Sequence, residues 1–426
     1  MNLYEFIFRN VCLETVAIVT DDREITYKEL LTLIDEKCKI IPNNYEVFVL
    51  PVQNSLNMIV NLFAALKKSK KVIILNPNVD VSCIGLNNTS IILNNDTVTL
   101  LEGENLNFKR KSSDLCDLNI LTSGTTGNSK LCSLPTRNIA DRVTLLYEDF
   151  LKNQPRIIEG LIFPVFSITA LTIQLFPTLL KGGTLILIEK IEQIPIYLTK
   201  YKISFLGLTP TVFKLLCDKN IAVFKNLDNL FLGGEMIDFP TIKAIAKKLK
   251  TTNIILGYGL TEGAGVISYG NILEIPENSV GKIINLVDIR IIGNEEIGEL
   301  EIRNVGEKNW ISTGDIAYIK GDYLFIVDRK KSIIISSGKN LYPNSIKNKI
   351  LTIEGVEDLI VYGIQDSITG EAPAIDVVTT LEYDLFIMQL KRVLKRDEFP
   401  KRINFVKSLK INRSGKREVK INEKNN

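Results

Sequence analysis

The stretch that decides the fold is Leu121-Thr122-Ser123-Gly124-Thr125-Thr126-Gly127-Asn128-Ser129-Lys130. Between the leading leucine and the final lysine, every residue is threonine, serine, glycine or asparagine. Two glycines three positions apart allow the backbone to fold back and direct N–H groups at one point. The hydroxyls add hydrogen-bond donors, and the lysine adds a point charge. This combination suits a polyphosphate, but the same composition is also typical of a polar surface turn.

The spacing excludes a Walker phosphate loop, because Asn128 and Ser129 separate Gly127 from Lys130. The stretch resembles instead the phosphate loop of the adenylate-forming superfamily (AMP-binding, or ANL), whose usual form is Thr-Ser-Gly-Thr-Thr-Gly-x-Pro-Lys-Gly. Ser129 stands where proline is usual, and Leu131 where the last glycine is usual. The resemblance implies that the nucleotide phosphates are bound by Thr122, Ser123, Gly124, Thr125, Thr126, Gly127 and Lys130.

Length and composition indicate a globular protein of two or three compact units, with 426 residues, 45% of them apolar and 24% charged. A net charge of +3 does not call for a nucleic-acid partner. No apolar run of transmembrane length is free of charges or breakers, and six scattered cysteines favour free thiols in a reducing cytoplasm. The absence of histidine excludes Ser-His-Asp and Cys-His catalysis and His-ligated zinc.

The order of the predicted elements indicates an α/β fold. Strands over 46–51 and 72–75 with a helix over 55–66 between them form a parallel βαβ unit. Beyond the loop we predict a helix over 136–151, a strand over 162–166, a helix over 169–180 and a strand over 185–188. Two later strands begin at 205 and 230, and a third covers residues 252–256. Each runs into a polar or glycine-rich turn, where α/β sheets bind ligands. Short strands from residue 280 predict a small β subdomain.

We therefore expect a large N-terminal AMP-binding domain over residues 1–330, built of βαβ-type subdomains and the small β subdomain. A small, mobile α+β domain over residues 331–426 follows it. By the resemblance, the hinge between the two domains lies near Lys331, within Asp328-Arg329-Lys330-Lys331. This segment is similar to the family's Gly-Arg-x-[Asp/Lys]-Asp, with Asp328 in place of the glycine.

Four further motifs carry the resemblance along the chain. Gly257-Tyr258-Gly259-Leu260-Thr261-Glu262 matches the superfamily's Gly-Tyr-Gly-x-Thr-Glu. The match implies that Tyr258 packs on adenine, Thr261 bonds a phosphate oxygen and Glu262 holds Mg²⁺. Thr313-Gly314-Asp315 resembles the Thr-Gly-Asp motif, which implies that Asp315 and Arg329 bind the ribose. The glycine-rich turn at Gly234-Glu235 completes the expected nucleotide site, together with Gly257 and Gly259.

The last two motifs lie in the small domain. The segment Gly338-Lys339-Asn340-Leu341-Tyr342-Pro343 resembles the one that faces the thiol acceptor, which assigns Gly338, Asn340 and Tyr342 to that side. Ser414-Gly415-Lys416 resembles the terminal Ser-Gly-Lys, which implies that Lys416 bridges the substrate carboxylate and the α-phosphate. A cation there would offset charge that builds in the transition state.

The acid substrate is indicated by Phe163-Pro164-Val165-Phe166-Ser167. Superfamily members that activate α-amino acids usually carry an aspartate here, whereas Ser167 follows Phe166 in this chain. An uncharged wall offers no partner for a buried ammonium group. We therefore expect an acid without an α-amine, either fatty or aromatic, in a pocket formed by Phe166, Ser167, Gly234 and Gly259. Alternatively, Ser167 merely fills space.

The resemblance implies a two-step, ATP- and Mg²⁺-dependent ligase that forms acyl-AMP and pyrophosphate and then transfers the acyl group to a thiol. The thiol is expected to be coenzyme A or the phosphopantetheine of an acyl carrier protein. Two alternatives stay open at this point. One is an acyl-AMP ligase that loads a carrier protein, and the other is a non-catalytic nucleotide-binding relative. The substitutions Ser129, Leu131, Asp328 and Ser345 favour the second slightly, whereas Lys130, Glu262, Asp315, Arg329 and Lys416 weigh against it.

Overall fold

The computed structural model describes residues 2–43, 46–51, 53–77, 90–94, 97–100, 118–122, 130–249, 252–293, 296–411 and 417–418. The chain divides into two compact units. The first contains Met1–Ile275, Gly281–Val287 and Asn304–Glu307, and the second contains Pro276–Val280, Asp288–Arg303 and Lys308–Asn426. The predicted domain boundary at residue 330 stays a prediction.

As far as the chain is described, the first unit consists of helices packed on two sheets. Its strands are β1 (Val16–Val19), β2 (Glu24–Thr26), β3 (Val47–Pro51), β4 (Lys71–Leu75), β5 (Ser90–Asn94), β6 (Thr97–Leu100), β7 (Leu118–Thr122), β8 (Lys130–Leu134), β9 (Ile158–Leu161), β10 (Thr184–Leu187), β11 (Phe205–Leu208), β12 (Asn229–Leu232), β13 (Asn253–Leu260), β14 (Gly265–Asn271) and β15 (Lys282–Ile283). Its helices are α1 (Leu3–Phe8), α2 (Tyr27–Ile40), α3 (Leu56–Lys67), α4 (Thr136–Leu146), α5 (Phe176–Leu180), α6 (Ile194–Lys200), α7 (Pro210–Asn220) and α8 (Phe239–Lys248).

One sheet of this unit has the strand order β2-β1-β10-β9-β11-β12-β13-β14-β15, and the other has the order β6-β5-β3-β4-β7-β8. Strands β9 to β13 run parallel to one another, so that their carboxyl ends meet at one edge of the sheet. The predicted βαβ unit is confirmed, because β3 and β4 pair in parallel and α3 connects them. Its core includes Phe63, whose ring packs against Phe176 of α5.

The strand predicted over 162–166 is wrong. The chain forms β9 four residues earlier, and a turn follows in which the N–H of Ser167 donates to the carbonyl of Pro164 over 2.8 Å. Two features explain the error. Pro164 has no N–H to donate to a neighbouring strand, and the true strand carries Glu159, a charged residue type, at a fully buried position.

The helices predicted over 136–151 and 169–180 are present but are not regular throughout. Each contains a π-helical turn, over Tyr147–Leu151 and Ala170–Leu175. The second turn ends two residues before Pro177, which has no N–H to donate to a preceding carbonyl. Hydrophobic periodicity predicts each helix but does not indicate that part of it is a wider, π-helical turn.

Glu159 sets a pH dependence for the stability of the first unit. Its Oε2 accepts a hydrogen bond from the Thr178 hydroxyl, whereas Oε1 has no partner among the residues that the structure describes. Burial raises the pKa of Glu159 well above its ordinary value, and the nearby polar side chains of Thr178 and Gln174 offset only part of that effect. A raised carboxyl pKa means that the folded state loses stability as the pH rises from the unfolded pKa to the folded one.

We expect Glu159→Gln to gain stability relative to the unaltered protein as the pH rises, because the amide does not ionise. Between the two pKa values, the difference in free energy of unfolding should change by about 1.4 kcal/mol per pH unit. Urea unfolding at pH 4.5, 6 and 8 measures this difference. Glu189→Gln, at an exposed position, is the control and should follow the unaltered protein at every pH. Parallel curves for Glu159→Gln and the unaltered protein would contradict the prediction.

Within the residues that the structure describes, the second unit is a β-rich body with two α-helices. Its strands are β16 (Val287–Ile292), β17 (Gly298–Asn304), β18 (Ile311–Lys320), β19 (Tyr323–Arg329), β20 (Ile334–Ser336), β21 (Lys339–Leu341), β22 (Val356–Asp366), β23 (Gly370–Thr379), β24 (Arg402–Phe405), β25 (Lys410–Ile411) and β26 (Arg417–Glu418). Its helices are α9 (Pro343–Ile350) and α10 (Tyr383–Val393).

Strands β16 to β19 are neighbours in chain order, and β17, β18 and β19 pair antiparallel. The order β21-β20-β23-β22 forms a second sheet, with β24 parallel to β23. The core of this part includes Ile346 and Ile350 of α9 and Phe386 and Leu390 of α10. The predicted β subdomain strands and the later α+β elements are therefore both present. Among the described residues, no helix combines the length and apolarity needed to span a bilayer.

Candidate nucleotide and acid site

The structure holds the two ends of the predicted phosphate loop side by side. Strands β7 and β8 pair antiparallel, and Thr122 lies opposite Lys130 at the end of the ladder. The chain therefore leaves the sheet at Thr122 and re-enters it beside the same point. The predicted loop residues Ser123, Gly124, Thr125, Thr126 and Gly127 lie outside the described residues, as does Lys416.

Lys130 and Glu262 are brought together across 131 positions of sequence. A short 3₁₀ turn over Thr261–Gly263 connects β13 to β14 and carries Glu262. The Lys130 Nζ lies 3.6 Å from the Glu262 Oε1, with 61% and 26% of the two side chains exposed. A pair this long and this exposed contributes at most about 1 kcal/mol, so a phosphate and a metal ion can compete for its members. The cation predicted to bind phosphate and the carboxylate predicted to bind the metal ion therefore lie side by side.

The glycines of the Gly-Tyr-Gly motif are required by close backbone packing. Strand β13 continues through Gly257, Tyr258 and Gly259 rather than ending before them, and a bulge separates Tyr258 from Gly259 opposite β14. A Cβ on Gly259 would lie 2.2 Å from the carbonyl oxygen of Gly265. The strand predicted to end at residue 256 therefore extends to Leu260. Any side chain at Gly259 would force β13 and β14 apart.

The predicted nucleotide-binding residues Gly234, Glu235, Gly257 and Tyr258 lie just beyond the end of β12 and in the last half of β13. These two parallel strands pair directly, and a Cβ on Gly233 would lie 2.9 Å from the carbonyl oxygen of Gly257. Gly234 follows with a φ of 86°, in the left-handed region that favours glycine. The Glu235 carboxylate accepts a hydrogen bond from the Thr211 N–H over 2.7 Å, at the start of α7. Binding roles for Gly234, Glu235, Gly257 and Tyr258 stay predictions.

Ser167 has a structural partner in the turn predicted to line the acid pocket. Its Oγ accepts a hydrogen bond from the Ala170 N–H over 3.2 Å, which caps the helix that follows. The Phe166 ring packs against the large core of the first unit. The Asn54 side chain fixes the same turn, because its amide donates to the Phe163 carbonyl and its oxygen accepts from the Val165 N–H. The turn presents no acidic side chain between Phe163 and Ala170.

In the second unit, the two predicted ribose ligands form a pair. Asp315 and Arg329 lie opposite each other in β18 and β19, and the Arg329 Nε is 2.8 Å from the Asp315 Oδ1. The Asp315 side chain is 5% exposed and the Arg329 side chain 53% exposed. The guanidinium thus holds the carboxylate in one orientation, as recognition of two adjacent hydroxyls would require. Ribose binding itself stays a prediction.

Asp328 takes part in a clamp around the predicted hinge. Its carboxylate accepts hydrogen bonds from the Asn344 N–H over 2.7 Å and from the Asn344 side-chain amide over 2.9 Å. It also accepts from the Arg329 N–H over 2.8 Å, and it is 1% exposed. Lys331 lies between these partners, in a 3₁₀ turn over Lys330–Ser332. Burial raises the pKa of Asp328, which the hydrogen bonds partly counteract.

The residues predicted to face the thiol follow directly. Gly338 has a φ of 76° in the tight connection between β20 and β21, and Asn340 pairs opposite Ile335. Tyr342 precedes the first residue of α9. The three lie within one short segment of the second unit, and their role stays a prediction.

Two residues of these sites escape sequence reasoning. Arg142 is buried below the Thr261–Gly263 turn, and Asp328 clamps Asn344. Arg142 could have been found, because α4 buries Asn138, Ile139, Arg142, Val143 and Leu146, and a charge on that stripe requires buried partners. For Asp328, the only signal in the sequence is that an aspartate replaces the glycine that is usual in the family.

Comparison with known proteins identifies the family. Residues 93–312, just over half of the chain, match the AMP-binding enzymes. The chain belongs to the AMP-binding enzyme family. The resemblance drawn from the motifs is thereby confirmed, and the roles of individual residues stay predictions.

Curated members of the family include CoA ligases. The chain is 26% identical to the 2-succinylbenzoate–CoA ligase of Lactococcus lactis over 91% of this chain and 92% of that protein. It is 30% identical to a long-chain-fatty-acid–CoA ligase of Haemophilus influenzae over 69% of this chain. The chain spans only 59% of the length of that fatty-acid ligase, and 49% of another relative, from Staphylococcus haemolyticus.

The fold of the family is also that of this chain. ATP-bound MatB of Rhodopseudomonas palustris superimposes with a TM-score of 0.81 at 20% identity, covering 97% of both chains. The predicted α/β fold class is confirmed.

Proposed function

We propose that this protein activates a carboxylic acid with ATP and transfers the resulting acyl group to coenzyme A. The observation that carries the proposal is the meeting of Lys130 and Glu262 at the mouth of the predicted phosphate loop. A cation for phosphate beside a carboxylate for a metal is the arrangement that nucleotidyl transfer requires. The names of the relatives, which are CoA ligases, support the same reaction class.

In the first step, a carboxylate oxygen of the acid attacks the α-phosphorus of ATP. The bond from that phosphorus to the bridging oxygen breaks, and pyrophosphate leaves. Lys130 and the loop neutralise phosphate charge, and Lys416 is assigned to the reacting carboxylate and α-phosphate. In the second step, the thiol sulfur attacks the acyl carbon, AMP leaves, and the thiol proton is released. No histidine is needed, because positioning and charge neutralisation supply the catalysis.

The residues present fit a magnesium ion. Glu262 offers a hard, partly exposed carboxylate, and magnesium in nucleotide sites usually takes one or two carboxylates together with substrate phosphates. Glu262 would hold the ion. When bound, the ion would neutralise charge on the phosphates.

The substrate is proposed to be a fatty or aromatic acid without an α-amine. The turn around Ser167 supports this choice, because its hydroxyl caps a helix and no acidic residue stands between Phe163 and Ala170 to pair with an ammonium group. Fatty acids and succinylbenzoate, named for the relatives, are acids of this kind. We further propose that the enzyme works in the cytoplasm.

ATP–pyrophosphate exchange against a panel of fatty, aryl and amino acids tests the proposal. We expect exchange with one class of acid without an α-amine, and a loss of at least about tenfold in Lys416→Ala. Added coenzyme A should then yield a free acyl thioester. Exchange with amino acids alone would overturn the substrate class. Exchange without thioester formation would indicate that the acceptor is a carrier protein rather than coenzyme A. If the folded protein binds ATP but shows no exchange, it would be a non-catalytic relative.

A further inference from the structure

Arg142 is a buried cation without a role in the reaction described above. It lies on α4, the helix that follows the phosphate-loop strand β8, and it is 2% exposed. Burial lowers the pKa of Arg142 to about 10, against opposing contributions from Asp141 and Glu307, so the side chain stays charged at neutral pH. A charge in such a place needs compensating partners.

Its partners are the backbone of the turn that carries Glu262. The guanidinium donates to the Gly263 carbonyl over 3.1 Å and to the Val266 carbonyl over 2.9 Å. A third bond, over 2.9 Å, goes to the Asn304 side-chain oxygen. The two carbonyls flank Ala264 and Gly265, whose φ angles of 60° and 115° are both positive. Ala264 is not a glycine, so this conformation costs free energy that the flanking bonds help to offset.

We propose that Arg142 is a positioning residue for the nucleotide step, which fixes the Thr261–Gly263 turn so that Glu262 stays beside Lys130. This inference rests on the proposed function. The fork geometry of arginine suits the task, because one group reaches two carbonyls and an amide oxygen at once. Through α4 and β8 it also links the turn to the strand that bears Lys130.

The test compares Arg142→Met and Arg142→Lys with Arg137→Met, which changes an exposed arginine on the same helix. Affinity for MgATP is measured by calorimetry in the absence of an acid. Adenylation is followed by pyrophosphate exchange, and the second step by transfer from synthetic acyl-AMP to coenzyme A. Hydrogen exchange of the 258–266 segment reports on the turn directly, without any ligand.

We expect Arg142→Met to weaken MgATP binding by about tenfold or more, the loss typical of hydrogen bonds from a charged group. Transfer from acyl-AMP and the KM for the acid should change less than about twofold, since neither needs the pyrophosphate end of the site. Hydrogen exchange should rise in the 258–266 segment alone. Arg142→Lys should recover part of the affinity, because it keeps the charge but not the fork.

Equal losses in both half-reactions, or a general rise in hydrogen exchange, would reduce Arg142 to a structural role and overturn the proposal. Unchanged MgATP affinity with a loosened turn would also overturn it. If the unaltered protein binds MgATP but exchanges no pyrophosphate with any acid, the proposed function fails while the affinities still decide the role of Arg142. If it binds no MgATP, both proposals fall.

Discussion

Glutamine in place of Glu262 is expected to lower acid-dependent ATP–pyrophosphate exchange by about 100- to 1,000-fold. The amide keeps the shape of the side chain but removes the negative charge that a hard divalent cation prefers. It also ends the ion pair with Lys130. Because that pair is exposed, the free energy of unfolding should change by less than about 1 kcal/mol. The loss of exchange activity would then reflect the adenylation step rather than unfolding of the protein.

The measurement is exchange as a function of magnesium concentration, with Glu274→Gln as the matched control. Glu274 is an exposed glutamate of the same unit, outside the site. Excess magnesium should restore part of the activity of Glu262→Gln and change the control little. Transfer from synthetic acyl-AMP should proceed in both variants. Normal exchange by Glu262→Gln at every magnesium concentration would remove Glu262 from the metal site.

Alanine at Gly259 is expected to destabilise the first unit severely. The added Cβ would lie 2.2 Å from the Gly265 oxygen, 2.7 Å from its carbonyl carbon and 3.0 Å from the Val266 Cα, all of them backbone atoms. No rotamer change can relieve such contacts, so β14 must move away from β13. We expect a cost of about 3 kcal/mol or more in the free energy of unfolding.

The same movement should displace the Thr261–Gly263 turn and weaken MgATP binding. Urea unfolding and calorimetry measure the two effects. Gly293→Ala is the control, because among the described residues its added Cβ would come no closer than 3.4 Å to any atom beyond the adjacent residues in sequence. Unfolding of Gly259→Ala at the urea concentration of the unaltered protein would show that the strands separate without cost.

Sequence reasoning succeeded where periodicity and motif reinforced each other. The βαβ unit ending at Leu75 combines apolar strands with an amphipathic helix, and the structure has the same elements within one residue. Family resemblance assigned both Lys130 and Glu262 to the nucleotide site, although no local pattern relates residues so far apart. The structure places the two side chains beside each other, and their binding roles stay predictions.

The errors have physical causes. The buried carboxyl of Glu159 interrupts the apolar pattern of β9, so the neighbouring run with Pro164 resembled the strand. The extension of β13 to Leu260 escaped because glycines usually end strands, whereas here they permit close pairing. Arg142 escaped because a single residue in a helical pattern does not reveal which carbonyls it will meet. Such contacts depend on tertiary packing.

The Asp328 clamp ties together the two sides of the predicted hinge. Its bonds join the end of β19, just before Lys331, to the first residues of α9. If the predicted rotation is centred on Lys331, it has to break the two bonds to Asn344. If those bonds persist, residues 328–344 move as one block, and the axis of rotation lies outside that block. One carboxylate, at the position of the family's glycine, would then decide where the predicted rotation is centred.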